Sequence, residues 1–251
     1  MTDAAIAEAA ALFAAARRSG TRIAALPASC APKSVAAAHA IQDETARLLG
    51  LGVAGWKVNA PPGGDVTRGQ ILAGLIHANP ARVAAASVPQ CGIEGEVAFR
   101  IERALPARAA AYSAEEVANA VIAMPAIEIV DSRFAAPDSA GALDKLADSI
   151  SNGGFVAGAT VANWRDLDLQ RLGVTQRVNG AITFSGTGTH PIGDAFAPLL
   201  ALANLLRESC GLAAGQIVTT GSWTGVQYLR PGDRCTVSFT GLGDVALEFT
   251  A

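Results

Sequence analysis

Ile93-Glu94-Gly95-Glu96-Val97-Ala98-Phe99-Arg100-Ile101 is the stretch on which the fold turns. Side chains on a strand alternate between faces, so Glu94 and Glu96 share one face while Ile93, Val97 and Phe99 share the other. The apolar side requires a core to cover it. Two carboxylates so close repel each other unless a cation lies between them, and hard oxygen ligands suit magnesium, manganese or calcium better than zinc. An exposed strand face also carries alternating polar residues, and this motif alone leaves both readings open.

Working outward, further strand patterns occur at Gly55–Val58, Ala126–Val130, Phe155–Val161, Gln176–Phe184, Gln216–Thr220, Cys235–Phe239 and Val245–Phe249. Asn179-Gly180 marks a tight hairpin within the fourth of these. Helical periodicity dominates the start, over Asp3–Arg18 and then Val35–Leu49, the latter introduced by Ser34 as N-cap. Ser113 and Glu116 form a capping box for a helix running to about Met124, and two more helices span Asp138–Ile150 and Asp194–Ser209. Helices first and many strands afterwards predict an α+β chain with a mixed β core, a helical N-terminal arm over residues 1–50 and a β-rich core over 51–251, together one catalytic domain. A doubly wound nucleotide fold is excluded. Gly186-Thr187-Gly188 is too short for a dinucleotide fingerprint, and Gly63–Gly69 lacks the phosphate-loop lysine.

Three other segments carry chemistry. Glu128 lies within the apolar run Pro125-Ala126-Ile127-Glu128-Ile129-Val130, where an isolated ionised carboxylate is costly and must be paired, metal-bound or protonated. Its plainest structural partner is Arg133, with Asp131 capping or orienting. Lys57, in Gly55-Trp56-Lys57-Val58, needs an anionic partner or a route to solvent, and burial would lower its pKa toward the range of proton transfer. Thr219-Thr220-Gly221-Ser222-Trp223-Thr224-Gly225 packs hydroxyls and flexible backbone into one turn able to donate to a carboxylate ligand. His39, His77 and His190 are dispersed and read as structural, which removes support for a histidine metal cluster or a Ser-His-Asp triad.

Composition narrows the classes. A net charge of -3 offers no basic footprint for nucleic acid. Cys30, Cys91, Cys210 and Cys235 lack paired spacing, as reduced thiols of a cytoplasmic protein would. Asp3 and Glu8 interrupt the first eighteen residues, so no signal peptide is expected, and no apolar run is long enough for a membrane span.

Taken in order, Gly55-Trp56-Lys57-Val58, Glu94-Gly95-Glu96-Val97-Ala98-Phe99, Pro125 to Arg133 and Thr220-Gly221-Ser222-Trp223-Thr224-Gly225 resemble the 2-keto-4-pentenoate hydratase and 4-oxalocrotonate decarboxylase family of the fumarylacetoacetate hydrolase superfamily. The likeness runs from Ala38-His39-Ala40-Ile41-Gln42 to the C-terminal strands. It implies a mixed β core of the fumarylacetoacetate hydrolase type, Mg2+ or Mn2+ on Glu94, Glu96 and Glu128, and Lys57 facing a small 2-oxo or 2-hydroxydienoate acid. Ser151 is then placed at the edge of the site, with Ser222 and Thr224 as substrate-binding donors. Where many relatives carry an aspartate after the lysine motif, the approximate alignment sets His77, a candidate general acid or base. The implied activity is hydro-lyase chemistry on a 2-hydroxypenta-2,4-dienoate-like substrate in aromatic catabolism, by a homo-oligomer. Decarboxylation of a 4-oxalocrotonate-type acid and noncatalytic metal-dependent binding are the alternatives.

Overall fold

The computed structural model describes residues 1–251. Its elements are α1 (Asp3–Ser19), α2 (Val35–Leu49), β1 (Val53–Asn59), β2 (Thr67–Leu72), β3 (Ile76–Ala78), β4 (Ala81–Ala84), β5 (Gly92–Ile101), α3 (Ala114–Ala118), β6 (Val121–Val130), α4 (Ala142–Ala147), β7 (Asn152–Ala157), β8 (Gly173–Val178), β9 (Ala181–Thr187), α5 (Ala197–Leu206), β10 (Ile217–Ser222), β11 (Gln227–Tyr228), β12 (Arg234–Phe239) and β13 (Gly243–Thr250). The strands form two mixed sheets. An eight-stranded sheet runs β2-β1-β10-β5-β6-β7-β3 with β11 paired to β5, and a five-stranded sheet runs β4-β13-β12-β8-β9.

The sheets share a hydrophobic cluster of 40 buried residues, to which β5 gives Ile93, Val97 and Phe99 and the second sheet gives Val237, Phe239, Val245 and Leu247. Gly95 sits on the same side of β5, and a Cβ there would come within 2.8 Å of Val237 Cγ1 and 2.9 Å of Thr224 Cγ2. Glycine at this position lets the backbone of β5 approach the second sheet, which turns Glu94 and Glu96 to the opposite face. That face continues as apolar surface, with Ala98, Met124 and Ala126 packed against Ile71, Phe155 and Ile217.

Ser34 caps α2 as the sequence predicts, its Oγ accepting from Ala37 N. Helices α1 and α2 pack with α4 around Phe13, Ile41, Phe134 and Leu146. Three predicted helices are shorter than their patterns. The segment after Ser113 leaves the helix at Ala118, and Val121 begins a strand that pairs residue for residue with β5 from Ile101↔Val121 to Gly92↔Val130. Its β-branched residues gain more from that ladder than from helix. The Asp138–Ile150 pattern contracts to α4, bounded by extended backbone at Ala140 and Gly141 before it and by positive φ at Ser149, Ile150 and Ser151 after it, and the Asp194–Ser209 pattern contracts to α5. Strands β2, β3, β4 and β11 carry no pattern that the sequence reading detects. No helix is long and apolar enough to cross a membrane.

Candidate metal centre

The register of β5 against β6 places Glu94 directly across from Glu128 and Glu96 across from Ala126. Cross-strand neighbours on one face stand about 5 Å apart at Cβ, so the pairing itself gathers the carboxylates. One oxygen from each of Glu94, Glu96 and Glu128 lies within 4.8 Å of the others. Glu128 is 0% exposed and Glu96 is 2% exposed.

The remaining donors come from β1, β10 and the first residue of β7. Lys57 on β1 forms an ion pair with Glu128, Nζ to Oε1 at 2.5 Å, and donates to the Ile150 carbonyl at 2.8 Å. Asn152 Nδ2 donates to the same Glu128 Oε1 at 3.2 Å, while Glu128 Oε2 is buried with no hydrogen-bond partner. Glu96 Oε2 accepts from Thr219 Oγ1 and, at 3.1 Å, from Gly221 N. Gly221 makes that contact at φ 131°, and a Cβ there would stand 3.1 Å from His190 Nε2. Only glycine meets both demands without strain.

The charges do not balance. With all three carboxylates ionised, the one ammonium leaves two negative charges uncompensated in a buried cluster, the amount that one divalent cation would neutralise and that protons must otherwise offset. Burial, reinforced by the charge of Glu94, pushes Glu96 up to about 7. Burial pushes Glu128 up to about 8 despite the opposing pull of Lys57, with Glu96 and Glu94 adding to the rise. For Lys57 the sequence reading is corrected: burial disfavours its ammonium, but Glu128, Glu94 and Glu96 outweigh burial and raise its pKa above the ordinary value. An oxygen-only donor set, an orphaned buried carboxylate oxygen and a deficit of two positive charges fit a hard divalent ion.

Beside the carboxylates opens a cavity of about 210 Å³, walled by Lys57, Glu94, Glu96, Ile150, His190 and Ser222 among others. Glu128 stands behind this wall. The Ser222 hydroxyl is buried without a protein partner. Ser151, Thr224 and His77, all expected at the site, do not line the cavity. The Ser151 carbonyl accepts from Asp131 N at 2.8 Å, and it is its neighbour Ile150 that reaches the wall. Thr224 Oγ1 accepts from Gly95 N at 2.9 Å and so serves the backbone of β5. His77 lies on β3, an edge strand separated from β5 by β7 and β6, where it pairs with Val156 of β7. Arg133 pairs with Asp148 at 2.5 Å and Asp131 with Arg22 at 2.9 Å, so Glu128 has neither as a partner.

His190 is the wall residue that the sequence reading passed over. It arrives on the loop between β9 and α5, its Nε2 lies 3.0 Å from the Thr220 carbonyl, and its Nδ1 is buried and unpartnered. Hydrogen bonding to a carbonyl requires the proton on Nε2, which leaves Nδ1 as an acceptor. Burial lowers its pKa, with the Thr220 bond acting against that. No local motif marks a lone histidine in a loop.

Residues 65–250 match the fumarylacetoacetate (FAA) hydrolase C-terminal family. The chain is 32% identical over 254 residues to 2-keto-4-pentenoate hydratase 1 of Dechloromonas aromatica (strain RCB), covering 96% of this chain and 95% of that enzyme. It is 31% identical over 158 residues to 4-oxalocrotonate decarboxylase of Pseudomonas putida, a match that covers 62% of this chain and only 59% of that enzyme. A solved 4-oxalocrotonate decarboxylase from Pseudomonas putida G7, complexed with magnesium and adipate, superposes with a TM-score of 0.86 at 23% identity, over 99% of this chain and 98% of that one. The match across most of the chain and the shared fold make this protein a member of the fumarylacetoacetate hydrolase C-terminal family.

Proposed function

We propose that the chain is a divalent-metal-dependent hydro-lyase that adds water to a 2-hydroxypenta-2,4-dienoate-like acid, with magnesium or manganese held by Glu94, Glu96 and Glu128. The observation that carries the reading is the buried carboxylate triad with its deficit of two positive charges, open to a cavity of small-acid size. A divalent ion held by these carboxylates would supply Lewis-acid polarisation to a bound 2-oxo acid. The chain's own residues do the rest. Lys57 holds its proton at Nζ, between Glu128 and the cavity, as an ammonium that donates to a developing charge on a substrate oxygen. Ser222 offers an unsatisfied hydroxyl for a water or a substrate oxygen, and the neutral His190 carries an acceptor nitrogen in the same wall. Buried polar atoms without protein partners are where ligand or ordered water is recruited.

Decarboxylation of a 2-oxohex-3-enedioate-like acid is the second reading, favoured by the likeness to 4-oxalocrotonate decarboxylases. Hydration is preferred because the hydratase match extends across 96% of the chain. The deciding assay incubates the magnesium-loaded protein separately with 2-hydroxypenta-2,4-dienoate and 2-oxohex-3-enedioate and follows mass. Gain of water on the first is expected. Loss of carbon dioxide from the second without hydration of the first makes the chain a decarboxylase, and inertness toward both with intact magnesium binding removes the lyase assignment. A homo-oligomer in the cytoplasm belongs to the same reading, with light scattering on the purified chain as the check on assembly.

A further inference from the structure

A second cavity, of about 540 Å³, lies between the C-terminal end of α1 and the β6–β7 side of the large sheet and shares no lining residue with the first. Its wall brings together Arg17, Arg18, Arg22 and Arg133, one carboxylate, Asp131, and apolar surface that includes Leu72, Leu75 and Val88. Two of these four guanidiniums, Arg22 and Arg133, are already neutralised. Arg22 forms an ion pair with Asp131 at 2.9 Å, and Arg133 pairs with Asp148 at 2.5 Å while also donating to the Asn152 and Asp148 carbonyls at 2.8 and 3.1 Å.

Arg17 has no carboxylate. Its one hydrogen bond runs to the Asn152 carbonyl at 3.5 Å, the limit of a useful contact, and that carbonyl is already taken by Arg133. A basic residue in the last turn of a helix is ordinarily accounted for by the helix dipole and by water. That account suits Arg18, which is exposed and donates to the Leu48 carbonyl, but not Arg17, which turns inward beside a second guanidinium. Burial and the like charge of Arg133 hold Arg17 down at about 9, against the weaker help of Asp148 and Asp131. A guanidinium left with four free N–H donors in a cavity wall is a forked receptor for a planar anion.

We propose that this cavity binds a small organic carboxylate with an apolar body, the carboxylate on Arg17 and the body against Leu72, Leu75 and Val88. The apolar share of the wall selects this class over inorganic phosphate, since a bare anion makes no use of the accessible apolar surface at Leu51 and Leu75 and an apolar alcohol leaves Arg17 unpaired. The site reaches the metal centre through one residue: the Asn152 carbonyl faces Arg17 and Arg133 while its Nδ2 holds Glu128.

The test titrates the full-length, magnesium-loaded protein with hexanoate, benzoate, hexanamide and inorganic phosphate, read by calorimetry and by the methyl NMR signals of Leu72, Leu75 and Val88. Hexanoate and benzoate are expected to shift those methyl signals, and Arg17→Met to weaken their binding at least tenfold. Glu96→Gln separates this site from the metal centre, because the methyl shifts must persist when that ligand is lost. Should Arg17→Met not fold, Arg17→Lys keeps the charge and loses the fork, and several-fold weaker binding is expected there. Unmoved methyl signals, hexanamide binding as tightly as hexanoate, phosphate binding where hexanoate does not, or full affinity in the Arg17 variant each overturn the proposal.

Discussion

At Glu128 a fully buried carboxylate gives one oxygen to Lys57 and Asn152 and leaves the other with no donor at all. Leaving such an atom unpaired is expensive in a protein interior, and the two flanking glutamates deepen the cost. Glu96 accepts instead from Thr219 and Gly221, both on its Oε2, and has no ion pair of its own. Removing one negative charge should therefore relieve the empty cluster while depriving a cation of a ligand. Glu96→Gln and Glu128→Gln are each expected to lower magnesium affinity at least tenfold while leaving the metal-free fold as stable as the parent or more so. Calorimetric titration and chelator-treated melting curves measure the two effects, and undiminished affinity in both variants takes the cation away from these residues. Lys57→Met should spare magnesium binding, since it removes a competing positive charge, but cut turnover by about 10²–10⁴, the usual worth of a positioned acid or base. A variant that turns over at the parental rate would leave Lys57 only as the counterion of Glu128.

Helix α2 and strand β2 are joined by a side chain whose role no periodicity announces. Gln42 is 1% exposed, donates to the Arg68 and Leu146 carbonyls at 2.9 and 2.5 Å, and accepts from Gln70 N at 3.1 Å. Gln42→Leu is isosteric enough to pack but strands three buried backbone groups, at about 1 kcal/mol or more each. A loss of about 3 kcal/mol in urea unfolding is expected, and a loss under about 1 kcal/mol would mean that water replaces the amide. The same pair of elements shows why part of the fold is legible in the sequence and part is not. Val35–Leu49 announces itself by a capping serine and an apolar stripe, and β5 by strict alternation, so alternation alone suffices to set the carboxylates of Glu94 and Glu96 on one face. Strand β2 gives no such signal. It is six residues long and follows Pro61, Pro62, Gly63 and Gly64, and nearly all of it is buried on both faces, so neither length nor alternation marks it. Strand β6 is visible only in half, because Pro125 stands inside it and proline argues against a central strand. The pairing with β7 begins at Ala126↔Ala157, so Pro125 falls at the end of that ladder and is tolerated. The site divides in the same way: Lys57, Glu94, Glu96, Glu128 and Ser222 sit in or beside regular strands, whereas His190 comes from a loop whose path depends on the whole chain.

Over the whole molecule, the packing around α1, α2 and α4 forms a second apolar cluster apart from the large one between the sheets, and polar contacts of α2 with β2 tie the two together. Besides Gln42, these are Asp43, which takes the Arg68 guanidinium at 2.8 Å, and His39, whose Nε2 accepts from the Arg68 backbone N at 3.1 Å. An acceptor nitrogen must be unprotonated, so this seam needs neutral His39. Burial, with the Arg68 charge adding to it and Asp43 opposing, holds the His39 pKa down at about 4. The sign follows from linkage. The unfolded chain takes up this proton near the ordinary value of 6.5 and the folded chain not until about 4, so the contribution is fully present above 6.5 and is lost as pH falls from 6.5 toward 4. His39→Gln keeps an acceptor within reach of Arg68 N but cannot titrate. Because the acidic cluster and every surface carboxylate titrate alike in both proteins, the difference between their melting temperatures isolates His39. Melting the parent and His39→Gln side by side in chelator at intervals from about pH 7.5 to 4.5 should show a constant offset above about 6.5 and a progressive loss for the parent below it. Curves that stay parallel down to about pH 4.5 would mean that the folded chain protonates His39 as easily as the unfolded one, and that the seam between helices and sheet holds without its acceptor.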